Sequence, residues 1–182
     1  MASVNRDDYF RGALDLMAAD GFGALRVTTL CRSLGMTTGS FYNWFRDWND
    51  FVDQFLTYWE IELTERLLGK VTATEDPAAR LDQLRGLALS VPHQAEVALR
   101  AWSNTEPRAA RVRDEVDSMR RQMIFDTVNA LVADPDTASR LAAMGLSIVV
   151  GHQHLDVQTM DWSLGQFIAL VRLHGDLRRD PS

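Results

Sequence analysis

Apolar residues recur every three or four positions along nearly the whole 182-residue chain, and period-two runs of β-branched residues between turn signals are missing. That pattern predicts an all-α protein. The first helix is expected from Arg6 to Ala19, with Phe10, Ala13, Leu14 and Met17 on one face. It should stop at Asp20-Gly21, because glycine accepts a left-handed helix end. Phe22 and Leu25 then close the connection. A short second helix is expected to start at Thr28 or Thr29, carry Leu30, Cys31 and Leu34 inward, and end at Gly35. Met36 reads as a buried turn residue, and Thr37 as the cap of a third helix through Phe45 with Phe41 and Phe45 on its inner side. Asp47 caps a fourth helix reaching about Leu68, with Trp48, Val52, Phe55, Trp59 and Leu63 at helical spacing.

The polar stretch Gly69 to Asp76 reads as a hinge, after which Pro77 suits the first turn of another helix. Helices are expected near 77–90, 93–105, 107–133, 136–153 and 160–174, with Pro92, Pro107 and Pro135 marking three of the starts. At 46% hydrophobic residues the chain can bury a substantial core. No stretch approaches the roughly 20 apolar residues of a membrane span, and the first ten residues lack the apolar centre of a signal peptide. The expected location is therefore cytoplasmic. A single cysteine, Cys31, excludes an intrachain disulfide and suits a reducing compartment.

Between residues 27 and 45 the sequence reads VTTLCRSLGMTTGSFYNWF: a short helix, a glycine turn and a second short helix with small polar and aromatic residues outside. This is the arithmetic of a helix-turn-helix. Such a unit sets its second helix in the DNA major groove, where each base pair shows a distinct donor and acceptor pattern. Thr37, Thr38, Gly39 and Ser40 are small enough for close approach, and the positive helix end can face a phosphate. Composition gives no support of its own: the net charge is −6, and residues 1–50 hold five arginines against six aspartates.

Arg6, Ala13, Leu14, Gly21, Phe22, Thr28, Leu30, Leu34, Gly35, Met36, Gly39, Phe41, Tyr42 and Phe45 carry a pattern that resembles the TetR family of transcriptional regulators over roughly residues 6–56. The resemblance implies phosphate contacts by Thr28 and Tyr42, and base or backbone contacts by Thr37, Thr38, Ser40, Asn43 and Trp44. It also implies a domain division into a helix-turn-helix part, 1–47, and a helical regulatory and dimerisation part, 48–182, connected by the fourth helix over 47–68. Two departures bear on affinity. Where the family often has a phosphate-binding lysine, this chain has Trp48 between Asp47 and Asp50, and the recognition helix carries no Arg or Lys, so binding would lean on Arg46.

In the second part, Trp59, Leu63, Trp102, Met119 and Met123 are the candidates for lining a small apolar effector site, a role they share with plain core packing. Leu141, Met144 and Ile148 on one helix, and Leu164, Phe167, Ile168 and Val171 on the other, either close the monomer's core or meet a second copy. The resemblance implies the latter, an intersubunit four-helix bundle whose two-fold symmetry matches a palindromic operator. His152, His154 and Asp156 cluster in sequence, yet i and i+2 side chains diverge by about 200° on a helix, so no metal site is expected. No phosphate loop or nucleophile elbow occurs, and neither an enzymatic activity nor a cofactor is expected. The reading is a repressor released from its double-stranded DNA operator by an effector; the alternative is a TetR-fold ligand-binding or protein-interaction module with weak or lost DNA binding.

Overall fold

The computed structural model describes residues 4–61, 64, 69, 71 and 73–179, the last three by backbone alone. Among the described residues there is helix and turn but no strand. The helices, numbered in chain order, are α1 Arg6–Asp20, α2 Val27–Ser33, α3 Thr38–Phe41, α4 Trp48–Glu60, α5 Pro77–Ser90, α6 His93–Trp102, α7 Pro107–Val132, α8 Pro135–His154 and α9 Met160–Arg179. They divide into two compact units, one of residues 1–61 and 92–114 and the other of 62–91 and 115–182. Helix α7 runs unbroken through both. The compact units do not divide at residue 47, and α4 belongs with the residues that precede it.

The first unit is built on aromatic side chains. Asn5 starts α1 with a reciprocal cap: its side chain accepts from the Asp8 N–H at 3.1 Å, and Asp8 Oδ2 accepts from the Asn5 N–H at 2.7 Å. The helix buries Tyr9, Phe10, Ala13, Leu14 and Met17, and Gly21 ends it at φ 75. Tyr9 meets Phe41 and Phe45 edge-on, with centroids 5.8 and 5.6 Å away, and Phe51 lies 5.0 Å from Phe45. These are favoured geometries for ring quadrupoles. Close approach of α1 and α2 depends on Gly12, where a Cβ would stand 2.9 Å from a Leu34 methyl.

Helix α2 starts one residue earlier than expected, at Val27. Thr29 is its third residue rather than its cap; its Oγ1 accepts from the Arg26 N–H at 3.2 Å and donates back to the Ala24 carbonyl. Helix α3 ends at Phe41 instead of Phe45, although Phe45 N–H still reaches the Phe41 carbonyl at 3.1 Å and both rings are buried. Asp47 caps α4 as expected, accepting from the Asp50 N–H at 2.9 Å. Its expected continuation to Leu68 falls largely outside the described residues. Arg108, at the start of α7, ties to α4 through Asp53 at 3.0 Å and Asn49 at 3.3 Å, while its Nε donates to Glu106 at 2.9 Å.

The second unit is aliphatic. Asp76 caps α5 by accepting from the Ala78 and Ala79 N–H groups, and Pro77 follows as the first helical residue. Leu81, Val128, Val132, Ala138, Leu141, Phe167, Ile168 and Val171 form its core. Helix α7 closes on Ala133 at φ 53, a left-handed conformation that costs a residue with a Cβ.

Candidate nucleic-acid interface

The second helix of the helix-turn-helix is held from below and open above. Gly35, at φ 66, makes the turn after α2, a conformation a Cβ would strain. Thr37 Oγ1 caps α3, accepting from the Ser40 N–H at 3.2 Å and lying 3.0 Å from the Ser40 hydroxyl. Phe41 and Phe45 are buried, which turns the intervening residues outward: Tyr42 is 56% and Trp44 45% exposed, and Asn43 is exposed with them. The Tyr42 ring stands edge-on against Phe41 at 5.3 Å, a contact that fixes its direction while leaving the hydroxyl accessible. Thr28, Thr37, Thr38 and Arg46 are exposed and Ser40 is half-buried. All eight residues expected at a DNA surface thus retain surface.

The acidic neighbours have local duties. The Arg46 N–H donates to Asp50 Oδ2 at 2.8 Å, and its guanidinium reaches Oδ1 at 3.4 Å while the side chain stays 85% exposed. The Arg46 N–H bond, then the Gln54 side chain, hold the Asp50 carboxyl below the usual carboxylate range. Trp48 packs against the aromatic cluster. It is half-buried, stacked on Phe51 at 5.0 Å and lying 6.3 Å from Phe41. Arg6 is engaged as well, donating to Gln54 at 3.4 Å with its guanidinium carbon 6.0 Å from the Phe10 ring centre.

The effector and dimer residues expected from sequence are placed differently. Trp59 is fully buried, its Nε1 donating to the buried Glu96 at 3.3 Å, and Trp102 lies near Phe55 at 6.4 Å. Met119 and Met123 are half-buried, and Leu63 lies outside the described residues. None of the four described ones lines the cavity that the second unit contains. That cavity, of about 80 Å³, is walled by α5 through Leu81, Leu84, Arg85, Leu87 and Ala88, by Arg120 and Ile124, and by parts of α8 and α9. Its α5 residues have helical spacing in the sequence; Arg85 and Arg120 gave no signal, since arginines on a helix are ordinary surface residues.

Most of the expected dimer residues are covered by their own chain. Leu141, Leu164, Phe167, Ile168 and Val171 are covered by their own chain, the last completely, and three of them line the cavity. Of the seven, Met144 is exposed and Ile148 half-buried. The outward stripes of the same two helices are Ala143, Met144, Ser147 and Gly151 on α8, and Trp162, Gln166, Ala169 and Leu173 on α9. His152 pins α8 to α9, with Nε2 2.8 Å from the Ser163 hydroxyl and Nδ1 2.8 Å from the Asp156 carbonyl. Among the described residues no helix is long and apolar enough to cross a membrane.

No protein-family profile and no curated protein matches the sequence. Solved structures do match its fold. A transcriptional regulator from Rhodococcus sp. Rha1 superposes with a TM-score of 0.77 at 17% identity, covering 92% of this chain and 96% of its own. A TetR transcription regulator from Haloarcula marismortui gives 0.69 at 17% identity, covering 94% and 96%. The regulator FadR of Bacillus subtilis, solved with stearoyl-CoA, gives 0.66 at 12% identity, covering 93% and 99%. The chain has the TetR fold. In this TetR fold α2 and α3 form the helix-turn-helix, and the aromatic cluster beneath Tyr42 and Trp44 fixes the outer surface of its second helix.

Proposed function

We propose that the chain is a sequence-specific DNA-binding transcriptional regulator, a homodimer that a small-molecule effector releases from a palindromic operator. The observation carrying this reading is the side-chain arrangement over residues 37–46, where alternate burial of Phe41 and Phe45 presents Thr37, Thr38, Tyr42, Asn43, Trp44 and Arg46 outward. Short polar side chains and a tyrosine hydroxyl serve phosphates and base edges, the division of labour that DNA recognition requires. Thr28 adds a hydroxyl on the preceding helix. Selection of genomic fragments by the purified protein tests the reading: enrichment of one palindromic sequence supports it, and recovery of random fragments contradicts it.

Dimerisation is assigned to the outward stripes of α8 and α9. Large apolar residues at 69% exposure for Trp162 and 55% for Leu173 belong in an interface rather than in water. Small residues on α8 allow a partner helix to come close, and a Cβ on Gly151 would meet nothing within 4 Å. Replacing Trp162 and Leu173 together by Glu should give a folded monomer by sedimentation; a persisting dimer assigns the interface elsewhere.

Release follows as a population shift, in which the effector prefers one of two arrangements of the recognition helices. Helix α7 is the connecting element, since Arg108 binds α4 at one end while Arg120 and Ile124 line the cavity further along. One observation favours a second reading, a ligand-binding module with weak DNA affinity: Trp48 is stacked inward and Arg46 shares Asp50, so few phosphates are neutralised.

A further inference from the structure

We propose that the cavity of the second unit takes a short-chain aliphatic amide, its chain lying along α8 from the Phe167 ring and its carboxamide meeting the side chain of Gln153. This rests on the effector reading above and names the ligand class. Gln153, in the last turn of α8, is only 4% exposed. Both polar atoms of its amide are buried, and among the described residues neither has a hydrogen-bond partner. Such an amide holds a donor and an acceptor side by side, and the large majority of buried side-chain polar atoms in folded proteins are paired. Since both atoms are unpaired, exchanging the nitrogen and oxygen positions leaves the observation unchanged.

The register of α8 sets this amide on the cavity face. At about 100° per residue, Gln153 lies within about 20° of Leu146, seven residues earlier, and about 40° of Val149, four residues earlier. Both of those residues line the cavity. The buried stripe of α8 is otherwise apolar, with Ala138, Leu141, Ala142, Gly145 and Leu146. At its other end the Phe167 ring closes on the helix: its tip lies 3.0 Å from where a Cβ on Gly145 would stand, and both residues line the cavity. From Gly145 to Gln153 the helix axis runs about 12 Å, room for a few methylenes and one carboxamide. The cavity, about 80 Å³, is smaller than the roughly 150 Å³ cavity that holds benzene, which selects a short unbranched chain over a ring. A carboxamide matches Gln153 reciprocally, its N–H donating to the glutamine carbonyl and its own carbonyl accepting from the glutamine N–H.

Titration of the full chain with pentanamide and with butyl methyl ketone, followed by nuclear magnetic resonance, tests this, with circular dichroism melting on every variant. The two probes share one shape, but the ketone has a methyl in place of the amide nitrogen, so it accepts a hydrogen bond and donates none. Both should bind. Gln153→Met keeps the side-chain length and removes both polar atoms, so it should lower the affinity ratio of pentanamide to the ketone by about tenfold. Gln153→Leu takes its place if the first variant melts early. Val149→Phe narrows the cavity and should abolish binding of both probes, with Ala88→Leu as the second choice; binding that survives in both folded variants places the probes elsewhere and overturns the proposal. If the narrowed cavity blocks both probes but the Gln153 variant leaves their ratio unchanged, the ligand class is wrong while the cavity remains an effector site. Binding of neither probe to the native chain overturns the proposal and removes this cavity from the effector reading as well.

Discussion

The two units differ in what fills them. Thirteen of the sixteen aromatic residues belong to the first, residues 1–61 and 92–114, and their rings pack edge-on and stacked beneath the helix-turn-helix. The second is filled mainly by leucine, isoleucine and valine, with Phe125 and Phe167, and keeps a cavity. Large rigid rings with few rotamers hold the helix Thr38–Phe41 in one place, as the proposed readout at fixed distances requires. Branched aliphatic chains around a void suit the proposed adjustment to a guest. The difference teaches that a rigid core and an adaptable one can be kept apart in one chain.

The largest expected effect sets those cores against each other. Phe41→Ala should destabilise the chain by about 3–5 kcal/mol, because its ring is enclosed by Tyr9, Phe45 and Phe51 and the hole cannot close. Phe167→Ala should cost less, since one side of that ring already faces the cavity and lacks partners there. Urea unfolding of both variants decides, and equal losses would erase the distinction between the two cores. Next comes Tyr42→Phe, which removes an exposed hydroxyl but keeps the ring on Phe41. Operator affinity should fall by about 0.5–1.5 kcal/mol on every sequence without a change of base preference. An unchanged affinity in a gel-shift titration leaves Tyr42 a packing role alone.

A smaller effect is expected in the second unit. Ala133→Gly relieves the left-handed residue after α7 and should raise stability by about 0.5–1 kcal/mol, read as a higher melting temperature. A lower one would show that the lost Cβ contacts outweigh the strain. Acid should act on the first unit before the second. Its Asp8, Asp50 and Glu106 carboxyls are held below their ordinary values, chiefly by the Asn5 and Arg46 backbone N–H groups and by the Arg108 side chain respectively. A lowered folded value contributes stability above the ordinary carboxylate range and loses it as pH falls through the folded value. Amide exchange as the pH drops below about 4 should therefore loosen α1 and α4 ahead of α8 and α9. Uniform loosening would remove the asymmetry.

Local signals made much of the fold legible. Asp47 and Thr37 cap the helices expected of them, and Pro77, Pro107 and Pro135 open theirs, because capping and proline geometry depend on a few adjacent residues. The helix-turn-helix surface was legible for the same reason: inner Phe41 and Phe45 determine what lies outside. What the sequence left open depended on distant partners. Helix α8 carries two apolar stripes, and periodicity does not say which of Leu141 and Met144 meets the neighbouring helix; Phe167 against Gly145 decides it, at 3.0 Å from where a Cβ would stand. The cavity was missed because it is bounded by residues far apart in sequence. Trp48 was legible as a departure from the resembled pattern, and its ring stacks on Phe51.

The central claim is tested most directly by the salt dependence of operator binding. Each subunit offers few basic side chains to phosphate: Arg46 is exposed but bonded to Asp50, and Arg6 is shared with Gln54. With about two phosphates neutralised per subunit and roughly −0.9 in slope for each, a dimer should give a slope of log affinity against log salt of about −3 to −4. Fluorescence anisotropy with the selected palindrome and a scrambled duplex, each at several salt concentrations, measures both slope and specificity. The account expects the palindrome to bind more tightly at every salt concentration, with that shallow slope. Equal affinity for the two duplexes, or no complex even at low salt, would contradict it.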